Sequence, residues 1–169
     1  YAATSGEMFL EGEQIEPSSP KDAIQKGLGM VHQHFMLVET LTVTQNIILG
    51  TEPGKAGIID YKKARETVLD ISKRYHLTID PDQKIENIAV GLQQRVEILK
   101  ALYREAKILI LDEPTAVLTP QAVEALFNVI RALRDRGVSI IIITHKLEEV
   151  MAISERVYIL RQGKVVGER

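Results

Sequence analysis

Residues 108–111, Ile-Leu-Ile-Leu, run straight into Asp112-Glu113-Pro114. Further on, residues 138–143, nearly all β-branched, run into Thr144-His145. Neither run alternates apolar with polar side chains, so neither suits a sheet with one wet face. Such runs belong in a parallel sheet covered on both sides. Between them Thr119-Pro120 opens a helix, with Val123, Leu126, Phe127, Ile130 and Leu133 as its apolar stripe, and Gly137 closes it. Alternating strands and helices make the chain α/β.

The rest of the chain fits around this unit. Residues 7–10 and 13–15 flank a turn at Glu11-Gly12, which predicts a hairpin. Ser19 caps a short helix with Pro20 at its first position and Gly27 past its end. Residues 28–31 form a brief buried strand leading to His32-Gln33-His34. Thr42 and Gln45 make a capping box. After a turn-rich stretch at 50–57, Ala64, Val68, Ile71 and Tyr75 mark one helix face. A longer helix from about Gly91 to Arg104 buries Val96, Leu99 and Tyr103. Residues 146–152 are helical, and 156–161 pair with 164–166 around Gln162-Gly163. The middle third, about 35 to 105, is nearly all helix and is expected to be an inserted lobe.

Composition excludes several classes. At 169 residues the chain can bury a sizeable single core. A net charge of −2 gives no general pull toward nucleic acid or anionic lipid. With no cysteine, disulfides and thiolate metal sites are excluded. No apolar run approaches the roughly 20 residues that span a bilayer. The chain starts Tyr1-Ala2-Ala3-Thr4, with neither methionine nor a signal peptide's basic start, and is expected to be part of something longer.

In open parallel sheets, ligands bind beyond the carboxyl ends of the strands. Three such ends carry polar residues here: Gln33, the pair Asp112-Glu113, and His145. An aspartate ending an apolar strand is the Walker B arrangement, in which the carboxylate holds Mg²⁺ through water. Glu113 can accept a proton from an attacking water. His145 can stabilise charge on a terminal phosphate, and Gln33 can orient water or ligate the metal. Asn87-Ile88-Ala89-Val90-Gly91-Leu92-Gln93-Gln94-Arg95 lies where a helix starts. A helix N-terminus offers free N–H groups to phosphate oxygens, and Gly91 lets a backbone approach closely.

Together these residues resemble the nucleotide-binding domain of ABC transporters, over essentially the whole chain. Gln33 matches the Q-loop, and 88–92 with Gln93-Gln94-Arg95 matches the Leu-Ser-Gly-Gly-Gln signature and its tail. Residues 108–112 match Walker B, with Glu113 as the catalytic glutamate. Ala116-Val117-Leu118-Thr119 sits at the D-loop and His145 at the switch histidine. The run from Gln93 to Arg104, with Pro114-Thr115-Ala116-Val117-Leu118-Thr119-Pro120, looks most like ATPases of simple-sugar and nucleoside importers.

The resemblance implies a RecA-like P-loop NTPase core, a helical signature lobe and a small antiparallel β portion. Residues 1–34 and 107–169 would belong to the core and 35–106 to the lobe. It implies ATP and Mg²⁺, with Asp112 and Gln33 at the metal. It implies a head-to-tail dimer with a second ABC ATPase domain, in which Ala89, Val90, Gly91 and Gln93 meet ATP held by the other domain, near D-loop residues Leu118 and Thr119. Transmembrane permease subunits would dock against the lobe, with Phe35, Met36, Leu37 and Val38 as candidates. A solute-binding protein would act through them, at the cytoplasmic face of the membrane. A soluble ABC-type ATPase in DNA repair or translation, or a degenerate non-catalytic ABC domain, is the alternative.

Three departures stand out. No Gly-x-x-x-x-Gly-Lys-Ser/Thr loop occurs; Gly54-Lys55 is followed by Ala56 and has no glycine five residues before it. The first strand, that loop and its helix are expected upstream of Tyr1, so the chain alone is expected to be inactive, with a sheet edge and apolar faces left uncovered. The signature has Ala89 for serine and Leu92 for glutamine. The D-loop has Thr119 for aspartate.

Overall fold

The computed structural model describes residues 5–55 and 58–169. Tyr1 to Thr4, and the 56–57 part of the turn-rich stretch, lie outside the described residues. Strands β1 (Met8–Leu10) and β2 (Glu13–Ile15) pair antiparallel. The turn between them places Glu11 and Gly12 at φ 53° and 85°, the mirror-image geometry whose twist matches a hairpin. Helix α1 (Pro20–Gln25) is capped by the Ser19 hydroxyl, which accepts from Asp22 N, and leads into β3 (Leu28–Val31).

The helical segment follows. Thr42 and Gln45 close both halves of a capping box on α2 (Val43–Ile48). Asn46, fully buried, accepts from Val38 N at 2.7 Å and donates to the Val38 and Thr42 carbonyls at 3.0 Å. One side chain thereby fixes the loop that descends from β3. Strands β4 (Gly54–Lys55) and β5 (Ile58–Ile59) then pair antiparallel, so the middle third is not all helix. These strands are too short for any periodicity to show. Helix α3 (Tyr61–Arg74) buries Ala64 and Val68, as its spacing predicts, with Ile71 and Tyr75 half-buried. Helix α4 (Val90–Tyr103) buries Val96 and Leu99, and leaves Tyr103 only partly covered.

Beyond α4 come β6 (Ile108–Asp112), α5 (Pro120–Arg134), β7 (Ser139–Ile143), α6 (Leu147–Ile153) and the antiparallel pair β8 (Tyr158–Arg161) and β9 (Lys164–Glu168). Strands β3, β6 and β7 form a parallel sheet in that order. Its two faces differ. Gly29, Val31, Leu109 and Leu111 are buried on one face. Helix α4 comes so near there that a Cβ on Gly29 would stand 3.1 Å from the Ala101 Cβ, and 2.9 Å from that of Ala106. On the other face Met30, Ile110 and Ile141 lie side by side, and Met30, Ile141 and Ile143 are 41%, 51% and 48% exposed. The expectation of a sheet covered on both sides therefore holds for one face only. The second face is apolar, and no element among the described residues buries it.

Candidate functional site

The polar rim is built by the strand ends. Glu113 follows β6 with φ at 43°, a left-handed value unusual for a residue with a Cβ and costing on the order of 1–3 kcal/mol. Its N–H donates to Ile143 O at 2.9 Å, one step beyond the ladder, which holds the turn against the end of β7. The side chain is thereby turned to where two neighbours reach it. Gln33 Nε2, beyond β3, donates to Glu113 Oε2 at 3.1 Å. His145 Nδ1, beyond β7, stands 3.1 Å from Glu113 Oε1. Two residues, from beyond the flanking strands β3 and β7, thus converge on the carboxylate that follows the central strand β6. A carboxylate has about four acceptor positions, so two remain for a further donor such as water. Asp112, paired with Ile143 in the ladder, is half-buried and by strand alternation shares the open face with Ile110.

The other predicted positions are arranged differently. Ala89 is the N-cap of α4 but makes no capping bond, and Val90 is 42% exposed as the first helical residue. Gly91 is not demanded by packing within the chain, since a Cβ there would meet only the Ala122 Cβ at 3.5 Å, an ordinary contact. Gln93 turns back to donate to the Ile88 carbonyl at 3.2 Å. Thr119 caps α5 by accepting from Ala122 N at 3.3 Å, and Leu118 packs on the core. None of these joins the Glu113 cluster by a hydrogen bond. Of the four apolar residues after Gln33, Met36 and Val38 are exposed, whereas Phe35 is half-buried and Leu37 packs on the core.

Sequence reasoning missed the polar side of α4. Gln94, 2% exposed, donates to Pro114 O at 2.5 Å, and buried Glu97 accepts from Met36 N at 2.7 Å. Lys100 donates to Met36 O at 3.3 Å. Spaced three apart, these side chains share one helix edge and hold the loops after β3 and β6. It also missed Glu149, which is buried among Thr115, Thr144 and Lys146. Burial pushes its carboxyl up, but bonds from Thr115, Lys146 and Thr144 and the Lys146 charge outweigh that and hold it below the usual glutamate value. The usable signal was spacing: one α4 residue in three polar, and a glutamate one turn beyond His145.

The family model for ABC transporters matches residues 1–116. The chain belongs to the ABC transporter family. Among ABC relatives, the guanosine import ATP-binding protein NupO of Bacillus subtilis is 55% identical over 164 residues. The nucleoside import ATP-binding protein NupA of Lactococcus lactis is 50% identical over 163. These alignments cover 97% and 96% of this chain but 32% of each relative, so the chain spans about a third of the length of the relatives it matches. A solved nucleotide-free ATP-binding cassette from an ABC transporter superposes with a TM-score of 0.84 at 24% identity, covering 99% of this chain and 70% of that one. The fold is that of the ABC cassette. No helix among the described residues is long and apolar enough to cross a membrane.

Proposed function

We propose that this chain is part of the ATP-hydrolysing motor of an ABC importer for nucleosides or simple sugars. The observation that carries this reading is the convergence of Gln33 and His145 on the two oxygens of Glu113. Glu113 is the general base. Its carboxylate, held from both sides, takes a proton from the water that attacks the terminal phosphate of ATP. Gln33 fixes the plane of that carboxylate and leaves its own carbonyl oxygen free to orient water. His145, on the same rim, faces the phosphate that leaves.

Asp112 offers hard oxygen donors of the kind Mg²⁺ takes, and the Gln33 carbonyl is a second. Mg²⁺, when bound, supplies charge neutralisation at the phosphate oxygens. Residues 89–93, at the start of α4, meet nucleotide held by a second ABC domain, and a permease docks against the helical segment. The names of NupO and NupA support nucleosides as the solute. The 169 residues contain no phosphate-cradling glycine loop with its lysine, so the chain by itself hydrolyses little ATP.

The test uses the complete protein assembled with its permease. Glu113→Gln is isosteric, keeps the neighbours in place and removes the base. It is expected to lower kcat by about a hundredfold or more, the upper range for general base catalysis, with ATP still bound. A rate within about twofold of wild type would remove Glu113 from the mechanism and the reading with it.

A further inference from the structure

Glu149 lies one helical turn beyond His145, in the first turn of α6, yet it is only 6% exposed. Its Oε1 accepts the Thr115 hydroxyl and stands 3.2 Å from Lys146 Nζ, and its Oε2 accepts the Thr144 hydroxyl at 3.0 Å. The remaining polar atoms are satisfied too. Lys146 Nζ donates to Thr115 Oγ1 at 3.1 Å and to Thr115 O at 3.3 Å, and Lys146 N donates to Thr144 Oγ1 at 3.1 Å. The residues gripped are not scattered. Thr115 is two residues beyond Glu113, and Thr144 and Lys146 flank His145 on either side. Apolar packing could bury these loops equally well, but it tolerates sliding. A closed set of charged hydrogen bonds fixes direction as well as distance.

We propose that Glu149 is a positioning residue whose buried carboxylate clasps the loop after β6 to the loop after β7 and so sets the Glu113–His145 separation. The proposal rests on the hydrolytic reading of Glu113. In its absence each loop would still follow its own strand, joined to the other by Glu113 N to Ile143 O, by the exposed His145–Glu113 contact and by Lys146 Nζ, which would lose the carboxylate that holds it over Thr115. A displacement of about 1 Å between two groups that act together can cost about a hundredfold in rate.

The experiment compares Glu149→Gln and Thr115→Val, both near-isosteric, singly and together in the complete transporter. Each single variant is expected to lower kcat by about ten- to a hundredfold while KM for ATP stays within about twofold. The double variant is expected to be no worse than the poorer single, because both cut the same link. Amide hydrogen exchange on the same proteins gives a readout that needs no turnover. Glu149→Gln should quicken exchange at Ala116 and Leu118, and Thr115→Val should quicken it at Lys146. Unchanged kcat in both singles, additive losses, or faster exchange confined to the substituted element would overturn the clasp. If the wild-type assembly hydrolyses no ATP, the functional reading fails, and the exchange experiment alone decides whether the clasp exists.

Discussion

Gln94, buried one turn into α4, donates from Nε2 to the carbonyl of Pro114 at 2.5 Å. The helix that begins with Ala89 is thereby tied to the loop that carries Glu113, although the two are distant in sequence. The bond sits where water does not compete. Gln94→Leu keeps the volume but strands the Pro114 carbonyl. It should cost about 1–3 kcal/mol, read as a lower urea midpoint with an unchanged m-value. A midpoint equal to wild type would mean that the carbonyl finds another donor.

Ala89 caps α4 without a side-chain acceptor, leaving the first N–H groups of the helix without one. Ala89→Ser supplies that acceptor and should stabilise the complete protein by about 0.5–2 kcal/mol in denaturant unfolding. If this end also meets the terminal phosphate held by a second domain, the added hydroxyl should raise the ATPase rate about ten- to a hundredfold, the worth of one charge-assisted hydrogen bond. Stabilisation without any gain in rate would assign the position to the helix alone.

The Glu149 carboxyl is held below the ordinary value near 4.5, so the unfolded chain binds more protons there than the folded one. Stability from this group is fully present above pH 4.5 and is lost as pH falls through the lowered folded value. Urea midpoints followed downward in pH should therefore fall more steeply for wild type than for Glu149→Gln, with the two curves converging in acid. Parallel curves would show that Glu149 titrates alike in both states.

Met30, Ile110 and Ile141 form an apolar row on the open side of the sheet, and Ile141 is 51% exposed. A patch of this kind on an edge strand invites association. The chain produced alone should self-associate in gel filtration, and Ile141→Lys should shift it toward monomer. A sharp monomer peak for the unsubstituted chain would contradict this.

The sequence carried the local elements because their causes are local. Thr42 with Gln45, Ser19 before Pro20, and the Glu11-Gly12 and Gln162-Gly163 turns each satisfy or bend the backbone within a few residues. The apolar runs ending in Asp112-Glu113 and in Thr144-His145 likewise marked two carboxyl strand ends, the kind of place where parallel sheets bind ligands. The family resemblance rested on these ends and on the segment around Gly91. Longer-range facts were not available in that way. That Gln33 and His145 meet the same carboxylate follows from the parallel order β3, β6, β7, which is a pairing between segments far apart. That 140 and 142 face helices while 141 and 143 do not depends on which face α4 and α5 occupy, because alternation gives the period of a strand but not its orientation. Gln94, Glu97 and Glu149 read as surface polar residues in one dimension. Only the packed fold removes the water around them, and the loss of that water turns three ordinary polar side chains into fixed ties between loops.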